Sequence, residues 1–250
     1  MPLSTPTSRA GPLFKRLLLV LLAAALGVGA LILIGTYTFV PPILENLIAT
    51  DLQRSLGLGE KPEVELGSDP APAMLVGRFD EGKVIFTSLD LGGIHPGEVT
   101  LDLNPFNLDL LGSLTSGRVK GEKPISGTIR AELSQKEVAR LASSGASSPV
   151  TDVDFEEGRV SIGTQAGVLG ERQPVRVEGD LSYRDGELRF DPDRVEALGV
   201  QVPSWLIWRY AGGAGFSYRP GGLPFGWTLS DVEAHKSRLV LSGKGNLPTG

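Results

Sequence analysis

The apolar residues of the chain follow two different periods, and the change falls near Glu60. Between Ile43 and Leu56 they recur on one stripe of a helix, and Gly57 follows directly. Beyond Glu60 they alternate with polar residues, as in 99–104. This pattern predicts an amphipathic helix, then antiparallel strands that each bury one face. We expect the helix to pack on this sheet; a helix lying flat on a bilayer is the alternative.

Several turns share one sequence pattern: an aromatic residue, two polar residues, glycine, a charged residue and an aliphatic residue. It occurs at 79–84, 155–160 and 183–188, and a degraded copy lies at 234–239. An acidic residue followed by glycine between apolar segments supplies the positive φ of a tight hairpin. The pattern therefore predicts a meander of antiparallel hairpins.

Other local signals predict short helices and breaks. Ser134–Glu137 has the sequence of a capping box and predicts a short helix after it. Residues 143–149 are small and polar, and predict a flexible connection that subdivides the domain. Residues 191–195 and 203–208 are predicted as breaks that carry helical turns. Pro41–Pro42 predict the end of one helix and the start of another.

A long apolar segment near the N-terminus predicts a membrane anchor. Leu17–Val40 contains twenty-four residues without a charge, and Lys15 and Arg16 precede it. About twenty apolar residues suffice to cross a bilayer, and the basic flank places the N-terminus in the cytoplasm. A signal peptide cleaved near Val28–Ala30 is the alternative. In both cases the rest of the chain lies outside the cytoplasm.

Charge and cysteine content narrow the classes of function. Residues 1–40 hold three of the 24 basic side chains and none of the 29 acidic ones, so the remainder has a net charge of −8. This charge disfavours nucleic-acid binding and electrostatic adhesion to anionic lipids, so any further membrane contact has to be apolar or site-specific. The chain contains no cysteine, which excludes disulfides, thiolate nucleophiles and zinc sites built on sulfur.

The sequence offers no catalytic constellation. His95 lies in an Ile-His-Pro-Gly turn and His235 at a hairpin tip, and both are interpreted as solvated turn residues. No nucleophile elbow, zinc-binding histidine pair or phosphate-binding loop occurs. We expect no enzymatic activity, no cofactor and no metal.

Aromatic residues concentrate in one glycine-rich stretch. All three tryptophans lie between 205 and 227, with tyrosines and phenylalanines among them. Such residues suit a membrane interface or the mouth of an apolar pocket, and they also suit the ordinary core at one end of a fold. The sequence leaves these two interpretations open.

The order of motifs resembles the LmeA-type phospholipid-binding family of bacterial cell envelopes. The motifs are Met74–Phe79 before an acid-glycine turn, Gly127–Ile129 before the serine-capped helix, Asp185–Pro192, and Leu223–Pro224 before the last hairpin. The resemblance covers about residues 43–247. It implies a tubular lipid-carrier-like fold in which a curved sheet wraps helices. It also implies binding of phospholipid head groups and acyl chains in the periplasm or its equivalent.

The predicted fold class is α+β: a curved antiparallel β-sheet meander wrapped around one or two helices, after an N-terminal transmembrane helix. The predicted segments are a disordered cytoplasmic tail (1–13), a transmembrane anchor or uncleaved signal (14–40) and an extracytoplasmic lipid-binding domain (41–250). This organisation predicts a single-pass protein of the cytoplasmic (inner) membrane.

The predicted function is to hold acyl chains in an apolar trough for envelope lipid transport or homeostasis. The expected partners are the membrane, a phospholipid ligand and envelope proteins. A non-catalytic scaffold of the envelope is the alternative, and a hydrolase of envelope lipids or glycans is a third, weaker one. The candidate lipid-binding residues comprise helix and strand positions, two aromatic residues at the mouth and one arginine for the phosphate: Leu47, Ile48, Leu52, Phe79, Val84, Phe86, Trp205, Trp208 and Arg209.

Overall fold

The computed structural model describes residues 12–121, 123–145, 150–168, 171–202 and 215–249. In chain order the helices are α1 (Pro12–Leu56), α2 (Leu110–Ser116) and α3 (Gln135–Gly145), with 3₁₀ helices at Ala71–Val76 and Pro224–Gly226. The strands are β1 (Glu63–Gly67), β2 (Arg78–Phe79), β3 (Glu81–Phe86), β4 (Glu98–Leu103), β5 (Phe106–Asn107), β6 (Ile125–Leu133), β7 (Val150–Glu156), β8 (Arg159–Val168), β9 (Glu171–Arg184), β10 (Glu187–Ala197), β11 (Val200–Gln201), β12 (Ser217–Tyr218), β13 (Thr228–His235) and β14 (Arg238–Leu247).

Helix α1 runs without interruption through Pro41 and Pro42, so the predicted break at these prolines is wrong. A proline φ near −65° is compatible with a helix, although each internal proline removes one backbone hydrogen bond. The following turns are fixed by packing, because Leu44, Ile48 and Leu52 are buried. Among the described residues, no helix has the length and hydropathy that a membrane crossing requires.

The first sheet is a curled half-barrel of six antiparallel strands in the order β1-β3-β4-β6-β14-β13. Its strands bury alternate residues, and Leu101, Ile129 and Leu241 on the inner face are fully buried. The last turns of α1 pack against β1, at one edge of this sheet, and against the 3₁₀ helix Ala71–Val76. The predicted alternation and antiparallel pairing are confirmed here.

The second sheet contains β11-β10-β9-β8-β7, and β12 also pairs with β10. The prediction of one curved sheet is therefore corrected to two sheets and a two-stranded ribbon of β2 and β5. Only the second sheet has the chain order of a meander. The sheets meet where β13 packs against β7, β8 and β9, and the Gly158 N–H donates to the Ala234 carbonyl oxygen at 2.9 Å.

Two of the three full copies of the turn pattern form the predicted tight hairpins. Glu156 pairs with Arg159 around Gly158, whose φ is +75°, and the turn at Gly186 has a φ of +77°. The degraded copy, 234–239, is also a hairpin, between β13 and β14. The hairpin predicted for the first copy, 79–84, is wrong, because Glu81–Phe86 is continuous strand β3 and Phe79 pairs with β5.

The remaining local predictions have different outcomes, and the predicted break at 203–208 lies outside the described residues. Residues 191–195 do not break the sheet, because β10 continues through them with a bulge between Pro192 and Arg194. Helix α3 starts after Ser134, whose Oγ accepts the Glu137 N–H at 3.2 Å, so this half of the capping box is confirmed. The predicted connection at 143–149 begins within α3, and residues 146–149 lie outside the described part of the chain.

The Glu137 carboxylate makes contacts that the capping box does not predict. It is buried, accepts the His95 N–H at 2.6 Å and binds the Arg140 guanidinium at 2.6 and 2.9 Å. Although burial raises the pKa of Glu137, hydrogen bonds from Arg140 and His95 lower it more, and the net pKa lies below its ordinary value. Beside this loop, the Tyr218 hydroxyl donates to the Gly92 carbonyl oxygen at 2.9 Å. The network joins α3 to β12 through one loop.

Candidate functional site

A pocket of about 440 Å³ opens at one end of the first sheet, beside the last turns of α1. Its size falls within the range of small-molecule sites, about 300–1,000 Å³. Apolar walls come from α1, from strand ends and from the loop after α2: Ile48, Leu52, Leu103, Val119, Ile125 and Leu247. The charged and polar residues of the lining are Asp51, Arg54, Ser55 and Arg118.

Carboxylates of α1 accept hydrogen bonds from the backbone of neighbouring segments, and one of these contacts fixes a wall of the pocket. The Asp51 carboxylate accepts the Val119 N–H at 2.9 Å, which fastens the loop after α2 to α1. Six residues earlier on α1, outside the pocket lining, the Glu45 carboxylate accepts the Leu66 N–H at 3.1 Å. Hydrogen bonds between a charged side chain and the backbone are stronger than neutral ones. The helix and the pocket loop therefore keep a defined relative position.

Two arginines form the rim of the pocket, and neither has a carboxylate partner among the described residues. Arg54 and Arg118 are exposed and lack an ion pair within 4.0 Å in that part of the chain. Several arginines on the sheets are paired, for example Arg130 with Asp102 at 3.5 Å, whereas Arg184 on β9 has no ion pair within the described chain. A guanidinium without a protein partner presents its forked donors to a ligand anion. With Asp51, the pocket lining therefore has two positive charges and one negative charge, although the chain is acidic.

Phe225 is an aromatic residue of the pocket lining, and its backbone has an unusual conformation. Its φ is +50°, a left-handed conformation that costs a non-glycine residue about 1–2 kcal/mol. Its ring makes an edge contact with Trp227, with centroids 6.2 Å apart. Trp227 is buried, contacts Phe86 and donates from Nε1 to the Asn246 carbonyl oxygen at 2.8 Å. Strain held in place by packing is common at ligand sites.

The structure places the predicted lipid-binding residues in three groups. Ile48 and Leu52 line the pocket, whereas Leu47 is half-buried on α1 and is not part of the lining. The strand residues belong to the core: Phe79, Val84 and Phe86 are buried. Trp205, Trp208 and Arg209 lie outside the described residues.

Phe79 lies behind the pocket wall rather than in the pocket. It stacks on Phe106 with ring centroids 5.0 Å apart. Phe106 and the pocket residue Leu103 both pack over Gly82, where an added Cβ would lie 3.3 and 3.0 Å from their side-chain carbons. These contacts leave little room for a side chain at position 82, which explains the glycine there. A hairpin turn does not explain it, because Gly82 lies within strand β3.

Sequence reasoning missed most of the pocket. Arg54 and Ser55 belong to the polar edge of the predicted helix, so they could have been proposed with their apolar neighbours. Phe225 belongs to the aromatic cluster, where Trp227 and Phe216 are core residues in the structure. Pocket residues from strand ends and from the loop after α2 carry no local signal, because only the sheet topology brings them together.

The other described pockets have a different lining. One of about 400 Å³ lies at an end of the second sheet, beside Asp152, Arg176 and Glu196. Another, of about 380 Å³, lies over β1, β3 and β4 beside Glu65 and Glu81. Each therefore places several charged groups where an acyl chain needs apolar contact. Within the described residues, no group of three or more histidine, aspartate or glutamate residues is arranged to hold a metal.

An apolar pocket with an arginine rim is the type of site that binds an amphiphile with an anionic head group. The chain matches the LmeA-like phospholipid-binding family over residues 36–244, and it belongs to this family. The family resemblance predicted from the sequence is confirmed. No curated protein and no solved structure matches the chain.

Proposed function

We propose that this protein binds a phospholipid, with an acyl chain in the pocket beside α1 and the phosphate at Arg54 and Arg118. The observation that carries the proposal is the pairing of six apolar wall residues with two arginines that lack carboxylate partners in the described chain. Membership of a phospholipid-binding family supports the same ligand class. Neither arginine was predicted, because Arg209 was the candidate for the phosphate.

The acyl chain and the phosphate would each contribute to the binding free energy. Each buried methylene contributes about 0.8 kcal/mol, so a short length of acyl chain suffices for binding. A hydrogen bond to a charged group contributes about 1.5–3 kcal/mol. Because both arginines are exposed, the lower value applies to each. Loss of one arginine would then weaken binding by roughly tenfold.

Membrane anchoring through α1 is part of this proposal. Large side chains along the N-terminal half of the helix, among them Leu18, Leu26 and Leu31, are exposed and apolar. Together with the basic flank in the sequence, they support a cytoplasmic N-terminus and an extracytoplasmic domain. We propose a non-catalytic role in envelope lipid transport or homeostasis, with the segment boundaries 1–13, 14–40 and 41–250.

The packed inner face of the first sheet favours a second candidate, a non-catalytic scaffold. Phe86, Ile129 and Leu241 fill the face that the sequence predicts as a trough. A scaffold would leave the end pocket without a lipid. The two functions therefore differ in whether this pocket is occupied in a bilayer.

Photo-crosslinking of the full chain in liposomes separates the two functions. The probe is a phospholipid with a diazirine in one acyl chain, and crosslinked peptides are mapped by mass spectrometry. We expect crosslinks at 48–55, 118–125 and 247–248. The variant Ser55→Trp, which fills the pocket, should abolish them, whereas Gln53→Trp on the same helix should not. Crosslinks confined to the first half of α1 would remove the lipid-binding proposal.

A second comparison tests the phosphate site. A diacylglycerol with the same diazirine chain lacks the phosphate, so the wild type should prefer the phospholipid. The double variant Arg54→Gln, Arg118→Gln should lose this preference. The matched control is Arg184→Gln, Arg219→Gln, since these arginines are also exposed and unpaired in the described chain. An unchanged preference in the first double variant would show that these arginines do not bind the phosphate.

A further inference from the structure

Five large apolar side chains are exposed on neighbouring elements of the domain, and we call them the apolar patch. They are Ile43, Leu75, Val76, Leu111 and Leu114, each between 46% and 78% exposed. Single exposed apolar residues are ordinary, but a group of them on adjoining elements marks an interaction site.

The elements that carry the patch adjoin one another. The 3₁₀ helix Ala71–Val76 packs against α1, and its buried residue Met74 faces inward while Leu75 and Val76 are exposed. Directly after it, the Gly77 carbonyl oxygen accepts the Leu108 N–H at 2.7 Å. Helix α2 follows at Leu110, close to Gly77. The patch is therefore built from α1, the 3₁₀ helix and α2 together.

The patch and the pocket share one end of the first sheet. Gly67 and Leu103 end β1 and β4 there, and Leu103 and Leu247 line the pocket. Helix α2 leads into the loop that carries Arg118. The opposite end of β14 is the hairpin tip near Ser237, about 30 Å away at 3.3 Å per residue.

We propose that the apolar patch lies on the surface of a lipid bilayer, with the mouth of the pocket facing the lipid head groups. Ile43 lies on the same continuous helix as Leu31 and Ile34, which are also exposed. At 1.5 Å per residue, Ile43 is only about 14 Å from Ile34 along the helix. Because the proposed anchor is the first part of the same helix, Ile43 lies close to the bilayer surface.

The charge of the chain implies that any contact of this surface with a bilayer is apolar. The part beyond residue 40 has a net charge of −8, so electrostatic attraction to anionic lipids is weak. Exposed leucine and valine side chains supply the contact that charge does not. The proposal rests on the proposed function for the position of the bilayer near α1. It adds a second contact with lipid, because a lipid bound in the pocket would not require the patch to touch the bilayer.

Site-specific labels test the proposal because the chain contains no cysteine. Single variants Val76→Cys and Leu111→Cys, each labelled with a polarity-sensitive fluorophore, are reconstituted as full chains in phosphatidylcholine liposomes. A second set of liposomes carries a nitroxide on an acyl carbon near the head group. Ser237→Cys, exposed at the far hairpin tip, is the control.

We expect blue-shifted emission and quenching by the nitroxide lipid at positions 76 and 111, and neither effect at 237. Equal quenching at all three positions, or none at 76 and 111, would overturn the proposal. A third outcome is that the fluorophores quench one another as protein density rises, while the nitroxide lipid does not quench them. This result would show that the patch contacts a second copy of the chain and not the bilayer.

Aspartate substitutions provide an independent variant test. With the label at Leu114→Cys, the pair Val76→Asp, Leu111→Asp should abolish lipid quenching. The matched pair Leu198→Asp, Val200→Asp removes exposed apolar residues elsewhere and should leave it unchanged. Equal effects of the two pairs would contradict a specific patch. Because these experiments report depth, and crosslinking reports pocket occupancy, either proposal can fail without the other.

Discussion

Replacing Glu137 with glutamine tests whether the buried carboxylate holds α3 to the loop at residues 92–95. The carboxylate is 9% exposed, binds Arg140 at 2.6 Å and accepts the His95 N–H at 2.6 Å. Glutamine keeps the shape but removes the charge from both hydrogen bonds. Breaking a fully buried pair costs about 3–5 kcal/mol. Because Arg140 is 46% exposed, we expect a smaller cost of about 2 kcal/mol at pH 7.

The pH dependence of this cost has a definite sign. The pKa of Glu137 is lower in the folded state than its ordinary value. The carboxylate therefore stabilises the fold fully above its unfolded pKa, about 4.3, and this contribution is lost as the pH falls through the folded pKa. The difference between the wild type and Glu137→Gln should be constant near neutral pH and shrink in acid.

Urea unfolding of the full chain in mild detergent, followed by tryptophan fluorescence, measures the difference in free energy. Amide hydrogen exchange at His95 gives a local measurement, and exchange should be faster in the variant. The matched control is Glu132→Gln, which breaks an exposed pair with Arg238 and should cost less than about 1 kcal/mol. A Glu137→Gln cost no larger than the control, or one independent of pH, would refute the reasoning.

Three further substitutions have expected outcomes that urea midpoints can check. Gly186→Ala, at a φ of +77°, should cost about 1–2 kcal/mol, whereas Gly222→Ala meets no atom within 4 Å and should be nearly neutral; equal costs would contradict the turn geometry. Leu198→Asn should raise stability by up to about 1 kcal/mol, because Leu198 is exposed at a φ of +54° and asparagine tolerates it better; a loss would contradict this. Trp227→Phe should cost about 1–3 kcal/mol, because the Asn246 carbonyl loses its donor; a neutral result would contradict it.

The sequence predicted the parts of the fold that depend on neighbouring residues. Alternating strands such as β6, the hairpins at Gly158 and Gly186, and the helix after Ser134 all follow from local periodicity or turn chemistry. The errors occur where tertiary packing overrides a local preference. Pro41 does not end α1, because the turns that follow it are fixed in the core.

The site was less predictable than the fold, for a physical reason. Ile48 and Leu52 could be proposed because the helix period identifies their apolar face. Arg118 and Leu247 come from a loop and from the last strand, and no pattern within either segment indicates that they meet. Phe86 fits the predicted apolar alternation equally well as core or as lining; in the structure it packs against Trp227 and is not part of the pocket lining.

The position of β14 between β6 and β13 has a consequence for folding. Leu133 pairs with Leu239, and the second sheet lies in the intervening sequence. Its local hairpins close short loops, so they form before a pairing between strands so distant in sequence. Until β14 arrives, β6 is an open edge that another chain can pair with. We therefore expect the pairing of β14 with β6 to be the slow step of folding. Chains in which β14 has not yet paired should aggregate through the open edge of β6.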